Sequence, residues 1–209
     1  MKIQISFLFI LFGSIYYSTV FASQDLDVKT NELIQKTIVT STELINFDEK
    51  DTSAYIARGR AYMNLREYKK AVSDFTKAIK LIPGSASYYV LRAKAYTGMK
   101  EYKNAINDYN KAIKKQPYMI EALFARGEIF GKLGNNKKAI KDYTNVIKLK
   151  ESYAPAYNNR AVLYKALNDS ANMCNDFKKA CEFGECKEYE LRKKAGECPA
   201  EVTKVEIRN

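Results

Sequence analysis

The chain predicts an all-α protein, a right-handed α-solenoid of four stacked helix pairs with a cap helix at each end. Three observations predict it. Residues 52–85, 86–119, 120–153 and 154–187 repeat one another with a period of 34 residues. Large residues recur at fixed columns: Tyr55, Tyr89, Leu123 and Tyr157, then Tyr62, Tyr96, Phe130 and Tyr164, then Phe75, Tyr109, Tyr143 and Phe177. Small residues stand between them at Gly59, Ala93, Gly127 and Ala161, and again at Ala71, Ala105 and Ala139, with Met173 taking that place in the fourth unit. Small columns let two backbones approach while the aromatic columns fill the space beside them. No single pair can bury its apolar face alone, so the units gain stability by stacking on their neighbours.

Residues 1–22 carry one charge, Lys2, then an apolar core centred on 7–12 and the small-residue run Val20-Phe21-Ala22. This is the layout of a secretory signal peptide cut before Ser23, and it implies export. Residues 23–50 follow as an N-terminal cap, helical over 27–47, with apolar Leu33, Ile34, Ile38, Leu44 and Ile45. The four repeats fill 51–187. In the first, helix A is expected over 53–65 and helix B over 68–81, joined by Arg66-Glu67. Pro83-Gly84 ends that second helix, because proline cannot continue one. The matching turns are Lys100-Glu101, Gly134-Asn135 and Asn168-Asp169. The last unit has no closing proline. Residues 185–195 read as a capping helix whose Tyr189 and Leu191 cover the end, and the tail runs on to 209.

This period, with aromatics, small residues and a terminal proline in this order, resembles the tetratricopeptide repeat. The resemblance implies a partner-binding protein that holds a peptide segment on a concave face lined by the A helices. The residues it places there are Ile56, Arg60 and Met63, then Val90, Lys94 and Thr97, then Glu121, Phe124 and Glu128, then Asn158, Val162 and Lys165. Ile56, Val90 and Phe124 share one column and read as an exposed apolar stripe, the kind of surface that marks an interaction site. Arg60, Lys94, Lys132 and Lys165 would add positive charge around it. A carboxylate clamp for chaperone C-termini is not present, since its places hold Ile56, Arg60, Leu91, Glu121 and Ala125.

Two further patterns run through the repeats. Arg58, Arg92, Arg126 and Arg160 are each followed sixteen residues later by an aspartate: Asp74, Asp108, Asp142 and Asp176. A planar guanidinium matches a carboxylate with two hydrogen bonds, so these pairs are expected as a structural ladder across the A/B interface. The competing reading is a row of anion-binding arginines. The four cysteines, Cys174, Cys181, Cys186 and Cys198, cluster at the C-terminal end of a chain read as exported, which points to disulfides. Spacing leaves three connectivities open. The segment 179–184 is similar to the helix ends of cysteine-rich Sel1-like repeats. That resemblance implies Cys181–Cys186, leaving Cys174–Cys198.

The chain has 35 Lys and Arg against 24 Asp and Glu, and no His or Trp. Without imidazole the commonest general base and metal ligand is missing, and no cysteine pair has metal or redox spacing. No enzyme activity, cofactor, metal or nucleic acid is therefore expected. The reading is a scaffold or adaptor of the bacterial cell envelope, periplasmic or secreted. The second reading is a module that binds anionic lipid or glycan through lysines on the B helices: Lys69, Lys70, Lys77, Lys80, Lys103, Lys111, Lys114, Lys115, Lys137, Lys138 and Lys141.

Overall fold

The structure, a computed structural model, describes residues 28–198. The expected signal peptide at 1–22 and the tail from 199 onward lie outside these residues. The described residues form ten helices and no strand. They divide into two compact units, the first ending at Pro83 and the second beginning at Gly84.

The first unit contains α1 (28–47), α2 (Thr52–Asn64) and α3 (Tyr68–Leu81). Asp51 caps α2 by accepting the Ala54 N–H at 3.0 Å, satisfying one of the amides a helix start leaves unpaired. Helices α2 and α3 then pack as an antiparallel pair. Gly59 shows why its column is small: a Cβ built there would lie 2.5 Å from the Phe75 ring.

The second unit contains three such pairs and a short cap: α4 (Ala86–Gly98) with α5 (Tyr102–Lys115), α6 (Ile120–Lys132) with α7 (Asn136–Leu149), α8 (Ala154–Ala166) with α9 (Ser170–Glu182), then α10 (Lys187–Lys194). Successive pairs stack through α5 on α6 and α7 on α8. One core cluster joins Leu123, Ala139, Tyr143, Val146, Ala156 and Leu163. The aromatic column at Phe75, Tyr109, Tyr143 and Phe177 is buried in all four repeats.

Every A-to-B turn has the same chemistry. Arg66, Lys100, Gly134 and Asn168 all adopt left-handed φ, between 59° and 72°. In the first turn the Glu67 N–H reaches the Tyr62 carbonyl at 2.8 Å and the Arg66 N–H reaches Met63 at 3.0 Å. The other three turns repeat this pair of bonds, which satisfies the last carbonyls of each A helix. Only Gly134 adopts that φ without a Cβ penalty.

The expected cap at 185–195 is shorter than the sequence suggests, Lys187–Lys194, with Gly196 at φ 72° beyond it. Tyr189 packs on the cluster of Ala161, Met173, Phe177 and Cys198. Leu191 does not: it is half exposed, so the end of this unit is covered by Tyr189 and by Cys198.

Candidate functional site

The arginine–aspartate columns come together within each repeat. Arg58 donates from Nε to Asp74 at 2.9 Å and from Nη2 at 2.8 Å. Arg92 and Asp108 are joined at 2.7 and 2.9 Å, Arg126 and Asp142 at 2.8 and 2.7 Å, Arg160 and Asp176 at 2.7 and 2.8 Å. The four aspartates are 1–4% exposed. Hydrogen bonding to Asp74 and Asp108 raises the pKa of Arg58 and Arg92 further above the usual arginine range. Each carboxylate has both oxygens occupied by one guanidinium, an arrangement that fixes A against B and leaves these arginines no open fork for an external anion.

The sequence reading missed a third member of this ladder. Arg58 Nη1 also donates to Thr42 on α1 at 3.1 Å. Arg126 Nη1 donates to Asn110 at 2.6 Å and Arg160 Nη1 to Thr144 at 2.8 Å. Each guanidinium of these three therefore ties its own pair to the helix before it. The signal was in the sequence, because Thr42, Asn110 and Thr144 fall on the same 34-residue period.

The expected groove residues divide into open and closed positions. In the first unit Arg60 on α2 is exposed, while Ile56 and Met63 are half-buried. In the second unit Val90 is 2% exposed, which corrects its place in the apolar stripe: it is core and unavailable to a partner. Phe124, in the same column, shows the reason. Its ring lies 5.5 Å from Tyr143 and 5.3 Å from Tyr153, so this column turns toward neighbouring helices and turns rather than outward. Lys94, Glu128 and Val162 are exposed, Thr97 is half-buried, and Val162 reaches 55% exposure.

Two of the four positive charges expected along the A helices are answered by the chain itself, while Arg60 and Lys132 are exposed. Lys94 pairs with Glu121, and Lys165 pairs with Glu197 at 3.2 Å. Asn158 donates to Glu185, ahead of α10. Asn158 and Lys165, read from sequence as partner contacts, are thus held by the C-terminal cap. Outside these contacts, Glu128 and Val162 are the exposed groove side chains of the second unit, with two buried tyrosines rooted in B helices behind them. The Tyr109 hydroxyl bonds to Thr97 on α4 and lies within electrostatic reach of Glu121 and Glu128. The Tyr143 hydroxyl accepts from Asn159 on α8 at 3.4 Å and also feels Glu128. Burial pushes Tyr109 up to about 12 and Tyr143 well above the ordinary phenol range. Partial burial likewise raises the Glu128 carboxyl, with Lys132 opposing. An accessible carboxyl partly desolvated by its surroundings can accept hydrogen bonds or a cation from a docked segment, while the two phenols stay buried behind it.

Cys174 is bonded to Cys198 and Cys181 to Cys186, with no free thiol. The first bond pins the segment after α10 onto α9; the second spans the α9–α10 turn. Two hollows in the second unit lie elsewhere, one of about 360 Å³ beside Gly134 and Leu167 and one of about 290 Å³ beside Tyr118 and Asn145. Neither includes a groove residue named above.

Models of the tetratricopeptide repeat match residues 52–85, 86–117 and 154–183, and a TPR repeat model matches 127–168, together more than half of the chain. No curated protein sequence matches it. Among solved structures it is similar to a crystal structure of MamA, with a TM-score of 0.71 and 23% identity over 77% of this chain and 94% of that one. It is similar to YrrB, described as a TPR protein with an unusual peptide-binding site, with a TM-score of 0.67 and 18% identity over 78% and 84% of the two chains. The first TPR of Spaghetti (RPAP3), bound to the HSP90 peptide SRMEEVD, gives a TM-score of 0.55 and 26% identity over 58% of this chain and 96% of that one.

Proposed function

We propose, from the premise that this chain belongs to the tetratricopeptide repeat family, that it is a non-enzymatic scaffold or adaptor of the bacterial cell envelope. It holds a segment of a partner protein on the A-helix side of its second unit. One observation carries this reading: Glu128 and Val162 are open on α6 and α8, outside the ion pairs, cap contacts and core packing that hold most of the other expected groove residues of this unit. That combination offers one apolar contact and one hydrogen-bond-accepting carboxylate, with the buried Tyr109 and Tyr143 as rigid support behind them. Peptide binding by YrrB and by the first TPR of Spaghetti adds weight to it.

The test is a crosslinked pull-down from the envelope comparing wild type with Glu128→Lys/Val162→Asp. Both positions are exposed, so circular dichroism should be unchanged. Loss of a specific captured protein in the variant supports the reading; identical capture overturns it. Val90→Asp is unsuitable, because it would place a carboxylate in the core. Export is supported by the 1–22 pattern and by the full pairing of the cysteines, which suits an oxidising compartment. A mature N-terminus other than Ser23 would count against that cleavage.

A second reading draws on the lysines of α3, α5 and α7. The eleven named above are all exposed, and within the second unit the seven on α5 and α7 offer basic groups suited to anionic lipid or glycan. Binding to anionic vesicles that disappears at high salt, and that survives Glu128→Lys/Val162→Asp, would favour it.

A further inference from the structure

Helix α1 occupies the B position of an additional repeat unit. Its register is set by Thr42, which receives Arg58 as Asn110 and Thr144 receive Arg126 and Arg160. Moving back one period maps Tyr68–Leu81 of α3 onto 34–47, and α1 ends at 47 as that mapping requires. At its other end α1 runs unbroken through 31–33, where the later repeats make their turn.

Exposure shows which side of α1 remains open. Leu44 corresponds to Ala78, Ala112, Val146 and Ala180, which are each 0% exposed, yet Leu44 itself is 46% exposed. Thr40 corresponds to the four buried aspartates and is likewise exposed. Ser41 and Ile45, around the helix, are buried. In the later repeats an A helix covers these columns; among the described residues no helix covers them on α1. Leu33 at 65% and Phe47 at 93% exposure extend the same open side.

We propose that a second copy of this chain covers that side, with α1 pairing antiparallel to the partner's α1 about a two-fold axis. The open side reads Leu33, Thr37, Thr40, Leu44, Phe47, alternating steps of four and three, which is the seam of a two-helix coiled coil. With the axis between Ile38 and Val39, Leu33 meets the partner's Leu44 and Thr37 meets the partner's Thr40. Flanking the seam, Lys36 meets the partner's Glu43, and symmetry makes every one of these contacts twice. Such a contact is isologous and closes at a dimer. A parallel pair would set Lys36 against Ser41, which is buried and carries no charge. The seam is short, so the dimer is weak and concentration-dependent. This inference stands apart from the partner-binding surface of the second unit.

Sedimentation equilibrium of the full chain tests it. Wild type should pass from monomer to dimer as concentration rises. Leu44→Asp should remain monomeric across the same range, and Lys36→Glu should weaken the dimer by roughly tenfold or more. The double reversal Lys36→Glu/Glu43→Lys should restore it. These residues are exposed, so at concentrations where wild type is monomeric the circular-dichroism melts of the variants should match it. A wild type that stays monomeric overturns the proposal, including the outcome in which Leu44→Asp lowers the melting temperature because residues upstream of 28 cover the seam. A dimer indifferent to Leu44→Asp places the contact elsewhere, and failure of the double reversal rejects the antiparallel pairing.

Discussion

Arg126→Met would remove one partner of a buried ion pair and leave the other. Asp142 is 2% exposed, and its two oxygens accept Arg126 at 2.8 and 2.7 Å. Methionine preserves most of the packing volume but none of the five donors. The carboxylate then stays in a site without water and without a counter-charge, a change that costs about 3–5 kcal/mol. Asn110 also loses its 2.6 Å bond, but it is exposed and water replaces Arg126 there at little cost. For a protein of this size the loss corresponds to a melting temperature lower by about 10 °C. Replacing both partners by apolar residues removes the uncompensated charge, so Arg126→Met/Asp142→Leu should be much closer to wild type than either single variant. Urea denaturation followed by circular dichroism gives the three free energies and hence the coupling. Single variants that each cost under about 1 kcal/mol, or a double variant equal to their sum, would refute the ladder as a structural device. Stability unchanged but partner binding lost would return the arginines to the anion-binding reading.

The turns offer a gain rather than a loss: Arg66→Gly and Lys100→Gly relieve a left-handed φ near 60° and should each stabilise by about 1 kcal/mol in the same denaturation assay, while Gly134→Ala should do the reverse. At high pH, Tyr109 works against the fold. Its folded pKa, pushed up to about 12 by burial, lies above the free phenol value of 10.0, so the stabilisation is complete below about pH 10 and is lost as pH rises toward 12. That is worth roughly 3 kcal/mol, and absorbance at 295 nm should show its ionisation arriving with unfolding rather than before it. Cys174→Ser/Cys198→Ser opens a loop with a sequence separation of 24 and should cost about 3 kcal/mol, and reduction, which also opens Cys181–Cys186, should cost at least as much. The loss should appear first as faster amide exchange in α10 and α9.

What the period carries, the sequence revealed: the A and B helices, their turns and the arginine–aspartate pairs, all of which recur column by column. What it missed has a physical pattern too. A column states which way a side chain points along its own helix, and says nothing of what closes over it. Val90 and Phe124 were read as open because their column lines the A helices, yet Val90 is core and Phe124 rests on two tyrosines. Asn158 and Lys165 were read as partner contacts because Glu185 and Glu197, far along the chain, carry no periodic signal. Thr42 was overlooked for the opposite reason. It obeys the period, but the large and small columns around it do not: Thr37, Ser41 and Leu44 stand where Ala71, Phe75 and Ala78 belong.

Those three substitutions make sense together once the neighbours of α1 are considered. In a complete repeat of the second unit, Tyr143 fills the space behind Gly127, and the smaller Ala139 and Val146 on either side of it admit α6 and α8, which sandwich α7. On α1 the large and small positions are exchanged, with Ser41 buried and Leu44 turned out. A helix with that exchange cannot seat an A helix of the ordinary kind, because a leucine would stand where the backbones must approach. It can seat another helix that also carries leucines, at the wider separation such side chains set. The second unit secures its last pair covalently, through Cys174–Cys198 and Cys181–Cys186. The first unit has no such bond at α1, and its apolar side chains at Leu33, Leu44 and Phe47 remain in contact with water. The two units therefore treat α10 and α1 differently, one by covalent closure and the other through a surface whose pattern matches itself.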